Sequence, residues 1–135
     1  MKLGKSAWKA SIVLSLIGLA ISIYLTAYHY AGVKLICSTT GLINCENVLN
    51  SPYAYIFGIP IAVYGVIFFG IELLLLRRNN LDFVFVWNGI GIGSVLYFMY
   101  LEWRIGSICI WCTGTHIVVL TLLLLSVSQV MKQGK

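Results

Sequence analysis

The chain has 135 residues, enough for one domain, and 60% of them are hydrophobic while 10% are charged, far from the roughly 45–50% apolar and about 25% charged of a soluble protein. A water-soluble core of this size has no room for so many leucines, isoleucines and aromatics, so the composition points to an integral membrane protein. The net charge of +5 does not point to nucleic acid, because the basic residues stand in twos and threes at the ends of apolar runs.

The first apolar run goes from about Trp8 to Tyr30, preceded by Lys2, Lys5 and Lys9. Its basic start resembles a signal peptide, but the apolar part is too long for an h-region and no small-residue cleavage site follows, so a retained helix is expected. Residues 31–56 are the longest polar stretch and contain Cys37, Cys45 and the turn-forming pair Ser51-Pro52. They read as an ordered extracytoplasmic loop, with a short helix expected after Cys45.

A second helix is expected from about Phe57 to Leu76, with Pro60 in its first turn, where a missing N–H does no harm, and Arg77-Arg78-Asn79-Asn80 as the stop. A third follows from about Phe83 to Leu101. After Glu102, Trp103, Arg104 and a turn at Gly106-Ser107, a fourth runs from about Ile108 to Met131. Helices of about 20 residues each cross a hydrocarbon slab about 30 Å thick. The expected fold is therefore an all-α bundle of four transmembrane helices, forming one membrane domain over residues 1–135.

Orientation follows from the distribution of basic residues. Lys2, Lys5, Lys9, Arg77, Arg78, Lys132 and Lys135 fall on one side, and Lys34 and Arg104 on the other. Both termini are then cytoplasmic in a multi-pass protein of the cell membrane, and all four cysteines face the extracytoplasmic side. Tyr24, Tyr28, Tyr30, Tyr53, Tyr55, Tyr97, Tyr100, Trp103 and Trp111 gather at that outer level, in part as an ordinary aromatic belt.

Cys109-Ile110-Trp111-Cys112 is a CxxC motif at the start of the last helix. Residues three apart on a helix share a face, with Cβ atoms about 5–6 Å apart, so modest adjustment reaches the roughly 3.5–4.5 Å of a disulfide. The unpaired N–H groups of a first helical turn favour an anion and raise the thiolate fraction. Cys37 and Cys45 are spaced by eight positions, which permits a disulfide and also permits one sulfur to swing toward the CxxC.

Three readings compete for the cysteines: a redox relay, structural bridges and a metal site. A zinc site wants four closed ligands with paired spacings or histidine neighbours, whereas the first pair is not CxxC and His29 lies well before it, so no metal is expected. A bridge between neighbouring helical turns closes too small a loop to constrain much chain entropy. The relay reading explains the CxxC best.

Cys37, Cys45, Ser51, the run Phe57-Gly58-Ile59-Pro60, Tyr64-Gly65 and the CxxC opening the last helix form an ordered set that resembles the vitamin K epoxide reductase family. The resemblance covers nearly the whole chain, and the combination is specific where a lone CxxC is not. It implies a four-helix bundle that binds a quinone, of ubiquinone or menaquinone type, beside the CxxC and exchanges disulfides with a thioredoxin-fold protein. By this analogy Cys112 faces the quinone, Cys109 exchanges with the loop pair, and Cys37 and Cys45 take electrons from the partner. Because the chain ends soon after its fourth helix, the expected partner is a separate DsbA-like protein.

Ser51 matches the family's loop serine or threonine, which can hydrogen-bond a quinone oxygen, with a turn residue before Pro52 as the bland alternative. Animal members carry tyrosine where this chain has His116, a departure that counts against vitamin K epoxide as substrate. His116, one turn after Cys112, is placed either to hydrogen-bond a quinone oxygen or to join helices. Phe57, Tyr64, Tyr97 and Trp111 are aromatic candidates for the walls of a flat quinone pocket.

Two rival readings use the same residues: a quinone-epoxide reductase, and a non-enzymatic four-helix protein with structural disulfides. Gly89, Gly91 and Gly93 look like a dinucleotide loop but sit inside a hydrophobic span, where close helix packing explains them. Glu72 and Asn88 are polar groups at membrane depth that can mark a proton path, with snorkelling or a helix–helix contact as the simpler account.

Overall fold

The computed structural model describes residues 2–32, 34, 48–52 and 55–133. Four helices dominate it: α1 (Lys5–Ala31), α2 (Ile61–Arg78), α3 (Leu81–Ile105) and α4 (Ile110–Gln133), with a two-stranded antiparallel hairpin of β1 (Tyr55–Ile56) and β2 (Ile59–Pro60) before α2. α1, α3 and α4 are long and apolar enough to cross a membrane. α2 has 18 residues and carries Glu72, Arg77 and Arg78.

The inner face of α1 is a stripe of small side chains. Ala7, Ser11, Ser15, Gly18 and Ser22 are buried, while Val13, Leu16, Ile17 and Ile23 are exposed. Small inward residues let helix backbones approach closely when the surroundings are as apolar as the core, and large outward ones suit lipid. Gly18 is the tightest case, since a Cβ there would lie 2.4 Å from the Cζ of Phe69.

The helix ends are fixed by caps and cross-bonds. α1 has no side-chain cap at Gly4, but the Gly4 N–H donates to Gln129 Oε1 at 2.8 Å and the Leu3 N–H donates to Asn79 Oδ1 at 3.0 Å. Trp8 Nε1 donates to the Leu76 carbonyl at 2.6 Å, and that carbonyl also accepts the Asn79 N–H at 3.0 Å at the end of α2. Gln133 Nε2 donates to the Lys2 carbonyl. The start of α1, the α2–α3 connection and the end of α4 therefore meet at one end of the bundle. Asn79 takes a left-handed conformation with φ 52° to end α2, and the Asn80 side chain caps α3 by accepting from the Asp82 N–H at 3.2 Å.

Several sequence boundaries move for local reasons. The second helix begins at Ile61, because Phe57 and Gly58 both have positive φ, 56° and 76°, and form the turn of the hairpin, as left-handed residues do in two-residue hairpin loops. Pro60 is consequently the N-cap of α2 rather than a first-turn residue. Of the three glycines in α3, Gly91 alone is buried, and a Cβ on it would meet the Phe68 ring at 2.6 Å. Gly89 and Gly93 lie on the exposed face with open space beside them, so close packing explains only Gly91. The short helix expected after Cys45 falls largely on residues outside those described, although Val48 and Leu49 are helical.

Candidate functional site

The CxxC lies where α4 begins. Cys109 is the N-cap: its carbonyl accepts the Thr113 N–H at 2.9 Å and its Sγ accepts the Cys112 N–H at 3.2 Å, the place an oxygen occupies in an ordinary cap. The two thiols also hydrogen-bond each other. The bond from the Cys112 side chain holds the Cys109 thiol below its ordinary pKa, against burial, which pushes it up. Cys109, just ahead of the helix, is thus the sulfur biased toward thiolate.

The two sulfurs have different surroundings. Cys109 is fully buried in a cluster with Leu25, Ala62, Val48 and Leu49, so the segment just after Cys45 in sequence packs directly on it. Cys112 lines a cavity of about 170 Å³ between the helices. The cavity is mostly apolar, with Phe68, Phe69 and Gly91 toward its floor, and His116, Glu102, His29 and Tyr64 add polar atoms to its wall.

The structure brings together some of the sequence candidates and separates others. Cys112, His116 and Tyr64 share the cavity wall. The Tyr64 hydroxyl donates to the Ile56 carbonyl at 2.9 Å, which ties the hairpin to α2 and leaves the ring as the cavity surface. Phe57 stands at the hairpin tip, 95% exposed, and Tyr97 is 52% exposed on the outer face of α3. Trp111 packs edge-on against Tyr24, with centroids 5.2 Å apart. None of these three lines the cavity, because the turn at Phe57 and the rotation of α3 and α4 point them elsewhere. The Ser51 hydroxyl is buried without a partner among the described residues, outside the cavity wall. Cys37 and Cys45 lie outside the described residues.

Two cavity residues escaped the sequence reading. Glu102, which looked like the polar end of a span, has a carboxylate that accepts the backbone N–H of Cys109 and borders the cavity. Its place in the last turn of α3, just before the short connection that leads to Cys109, was the available signal. His29, weighed only as a metal ligand, borders the same cavity; its Nδ1 pairs with the Tyr55 hydroxyl at 3.3 Å, and its Nε2 is buried without a partner among the described residues.

Residues 9–127 match the vitamin K epoxide reductase family. The chain belongs to the vitamin K epoxide reductase family. It is also 34% identical over 125 residues, 82% of its own length, to the thiol-disulfide oxidoreductase LTO1 of Arabidopsis thaliana. The aligned part is 33% of that relative, so the chain spans about a third of the length of the curated protein it matches. Membership of this family, with three helices long and apolar enough to cross a bilayer, makes the chain a membrane protein. In this member of the vitamin K epoxide reductase family, the described residues bring a thiol pair and a cavity together at the head of α4.

Proposed function

We propose that the protein is a membrane thiol-disulfide oxidoreductase that takes electrons from a thioredoxin-fold partner and passes them through two cysteine pairs to a quinone. The observation that carries this reading is the division of labour in the CxxC: Cys112 opens into the cavity while Cys109 is buried under the segment that follows Cys45. One sulfur serves the acceptor and the other serves the loop.

A cavity of about 170 Å³ is on the scale of a single aromatic ring, since an apolar void of roughly 150 Å³ accepts benzene. Its wall suits a flat ring with polar edges, with the Phe68 face on one side and His116 and Glu102 as hydrogen-bonding groups. These residues, with Tyr64, would hold a quinone ring; Ser51, the loop residue matched to the family, lies outside this wall and would reach a quinone oxygen only if the loop moved. A bound quinone supplies a lipid-soluble acceptor of two electrons and two protons.

The chain's own chemistry is thiol exchange. A partner thiolate attacks the Cys37–Cys45 disulfide, forming a mixed disulfide that the partner's second thiol resolves, so the partner is oxidised and the loop pair reduced. A loop thiolate then attacks Cys109 in the CxxC disulfide, and the displaced Cys112 leaves as a thiolate facing the cavity. Resolution by the second loop cysteine frees Cys109, whose sulfur accepts hydrogen bonds from the Cys112 backbone and side chain. Reoxidation of the CxxC gives up two electrons and two protons at the cavity wall, where Glu102 and His116 stand.

We place the CxxC at the extracytoplasmic surface, with four spans and both termini cytoplasmic. The end of the bundle opposite the CxxC gathers the start of α1, the α2–α3 connection and the end of α4, and hence Lys2, Lys5, Arg77, Arg78 and Lys132, as the positive-inside rule requires of a cytoplasmic face.

The test is quinone reduction by purified protein in detergent, supplied with a reduced DsbA-like partner. Turnover that disappears in Cys112→Ala supports the reading. Turnover with a quinone epoxide but with no quinone would replace it, as would inactivity with every quinone and partner tried.

A further inference from the structure

Beneath the cavity floor, three helices bring together the polar groups of Glu72, Asn88 and Ser126, which are 0%, 0% and 1% exposed. Asn88 Nδ2 donates to Glu72 Oε1 at 3.2 Å and to Ser126 Oγ at 3.0 Å, and the Ser126 hydroxyl donates to the Leu122 carbonyl at 3.0 Å. Both amide hydrogens of Asn88 and the serine hydrogen are therefore used. Two atoms of these three residues have no partner among the described residues, Glu72 Oε2 and Asn88 Oδ1.

With Glu72 ionised, both leftover atoms are acceptors, and Glu72, Asn88 and Ser126 have no hydrogen left to give; the Ser15 hydroxyl on the buried face of α1 is without a partner among the described residues and bonds neither atom. Leaving them bare in an apolar interior costs about 1–3 kcal/mol for a neutral group and more for a charged one. One added proton resolves both: a hydroxyl at Glu72 Oε2 donates to Asn88 Oδ1 while Asn88 Nδ2 donates to Glu72 Oε1. Acid and amide then close a two-bond ring. We propose that Glu72 and Asn88 form a proton-binding site, in which a neutral carboxyl group joins α2 to α3, and through Ser126 to α4.

Among the described residues no competing charge stands beside the pair. No basic side chain is buried among the described residues. α1, which packs against α2, contributes Ser11 and Ser15 to its buried face and no titratable group. The buried faces of α3 and α4 near this level carry Val84, Asn88, Gly91, Leu122 and Ser126. Arg77, Arg78 and Asp82 lie at the exposed helix ends. Phe69, one turn above Glu72 in α2 and 2% exposed, separates the pair from the cavity, so this proton is distinct from those released at the CxxC.

The test is infrared difference spectroscopy of the folded protein at neutral pH, wild type against Glu72→Gln, whose amide can repeat both hydrogen bonds without a proton. Loss of a protonated-carboxyl C=O band, shifted in heavy water, is the expected result; loss of an ionised-carboxylate band would overturn the proposal. Should E72Q not fold, E46Q/E102Q leaves Glu72 as the sole glutamate, and carboxyl-13C-glutamate labelling then reads it directly: an acid band supports the site and a carboxylate band overturns it. The stability sign agrees: a proton held by the folded state stabilises below its titration and is lost as pH rises through it. Wild-type melting should therefore fall further than that of E72Q on alkaline titration, and equal falls would count against the site.

Discussion

Gly18→Ala sets two effects of known size against each other. A helical glycine replaced by alanine gains about 0.8–1 kcal/mol of helix propensity. At Gly18 the new Cβ would lie 2.4, 2.5 and 2.8 Å from Cζ, Cε1 and Cε2 of Phe69, against an ordinary carbon contact of about 3.5–4.0 Å, so the ring must retreat by roughly 1 Å. The cavity it borders is the space open to it, and a shift that way moves the ring off its present neighbours. Phe69 is 2% exposed and meets Phe68 edge-on at 5.2 Å, and Phe68 is itself stacked on Trp87 at 5.2 Å, whose Nε1 donates to the Phe68 carbonyl. Overpacking of this kind costs about 1–3 kcal/mol, enough to offset the propensity gain and leave a net loss. Thermal unfolding in detergent should show G18A melting below wild type, while G93A, at an exposed α3 position with nothing within 4 Å of its added methyl, should melt at or above it. Phe69→Leu should recover part of the G18A loss, giving a favourable coupling of about 0.5–3 kcal/mol in a double-mutant cycle. An uncoupled pair, or G18A as stable as G93A, would refute the packing argument.

Cys109→Ser keeps an oxygen to cap the Cys112 N–H, whereas Cys109→Ala loses the cap at about 0.5–2 kcal/mol; both should abolish disulfide exchange in the partner-coupled assay, and only the alanine should lower the melting temperature. Cys112→Ala removes the donor that holds the Cys109 pKa down, so the thiolate absorbance of Cys109 should appear at higher pH in this variant than in the reduced parent. Phe57→Gly relieves a left-handed residue that costs a side chain roughly 1–2 kcal/mol. Part of that gain is lost to glycine's greater unfolded freedom, so urea or thermal unfolding should show a change small beside the penalty of Gly58→Ala, which adds a side chain to the second left-handed position, φ 76°.

Much of the helical organisation was legible in the chain because its signals are local. Apolar runs, the Arg77-Arg78-Asn79-Asn80 stop and the CxxC ahead of a hydrophobic stretch act through backbone hydrogen bonds and solvent transfer, which depend on neighbours in sequence. The helix start misplaced at Phe57 shows where local signals mislead, since an apolar aromatic in a left-handed turn looks like the beginning of a span. Only the packed bundle decided which face of each helix looks inward. Every face of a membrane helix is apolar enough for lipid, so hydrophobic periodicity cannot tell Gly91, buried against Phe68, from Gly89 and Gly93 on the outside, or Tyr64 on the cavity wall from Tyr97 beyond it. Glu102 and His29 reach the cavity beside Cys112 from α3 and α1, and Asn88 finds Glu72 sixteen positions away in sequence. Those meetings depend on helix rotation and on how closely small residues let the backbones approach, quantities set by contacts between helices.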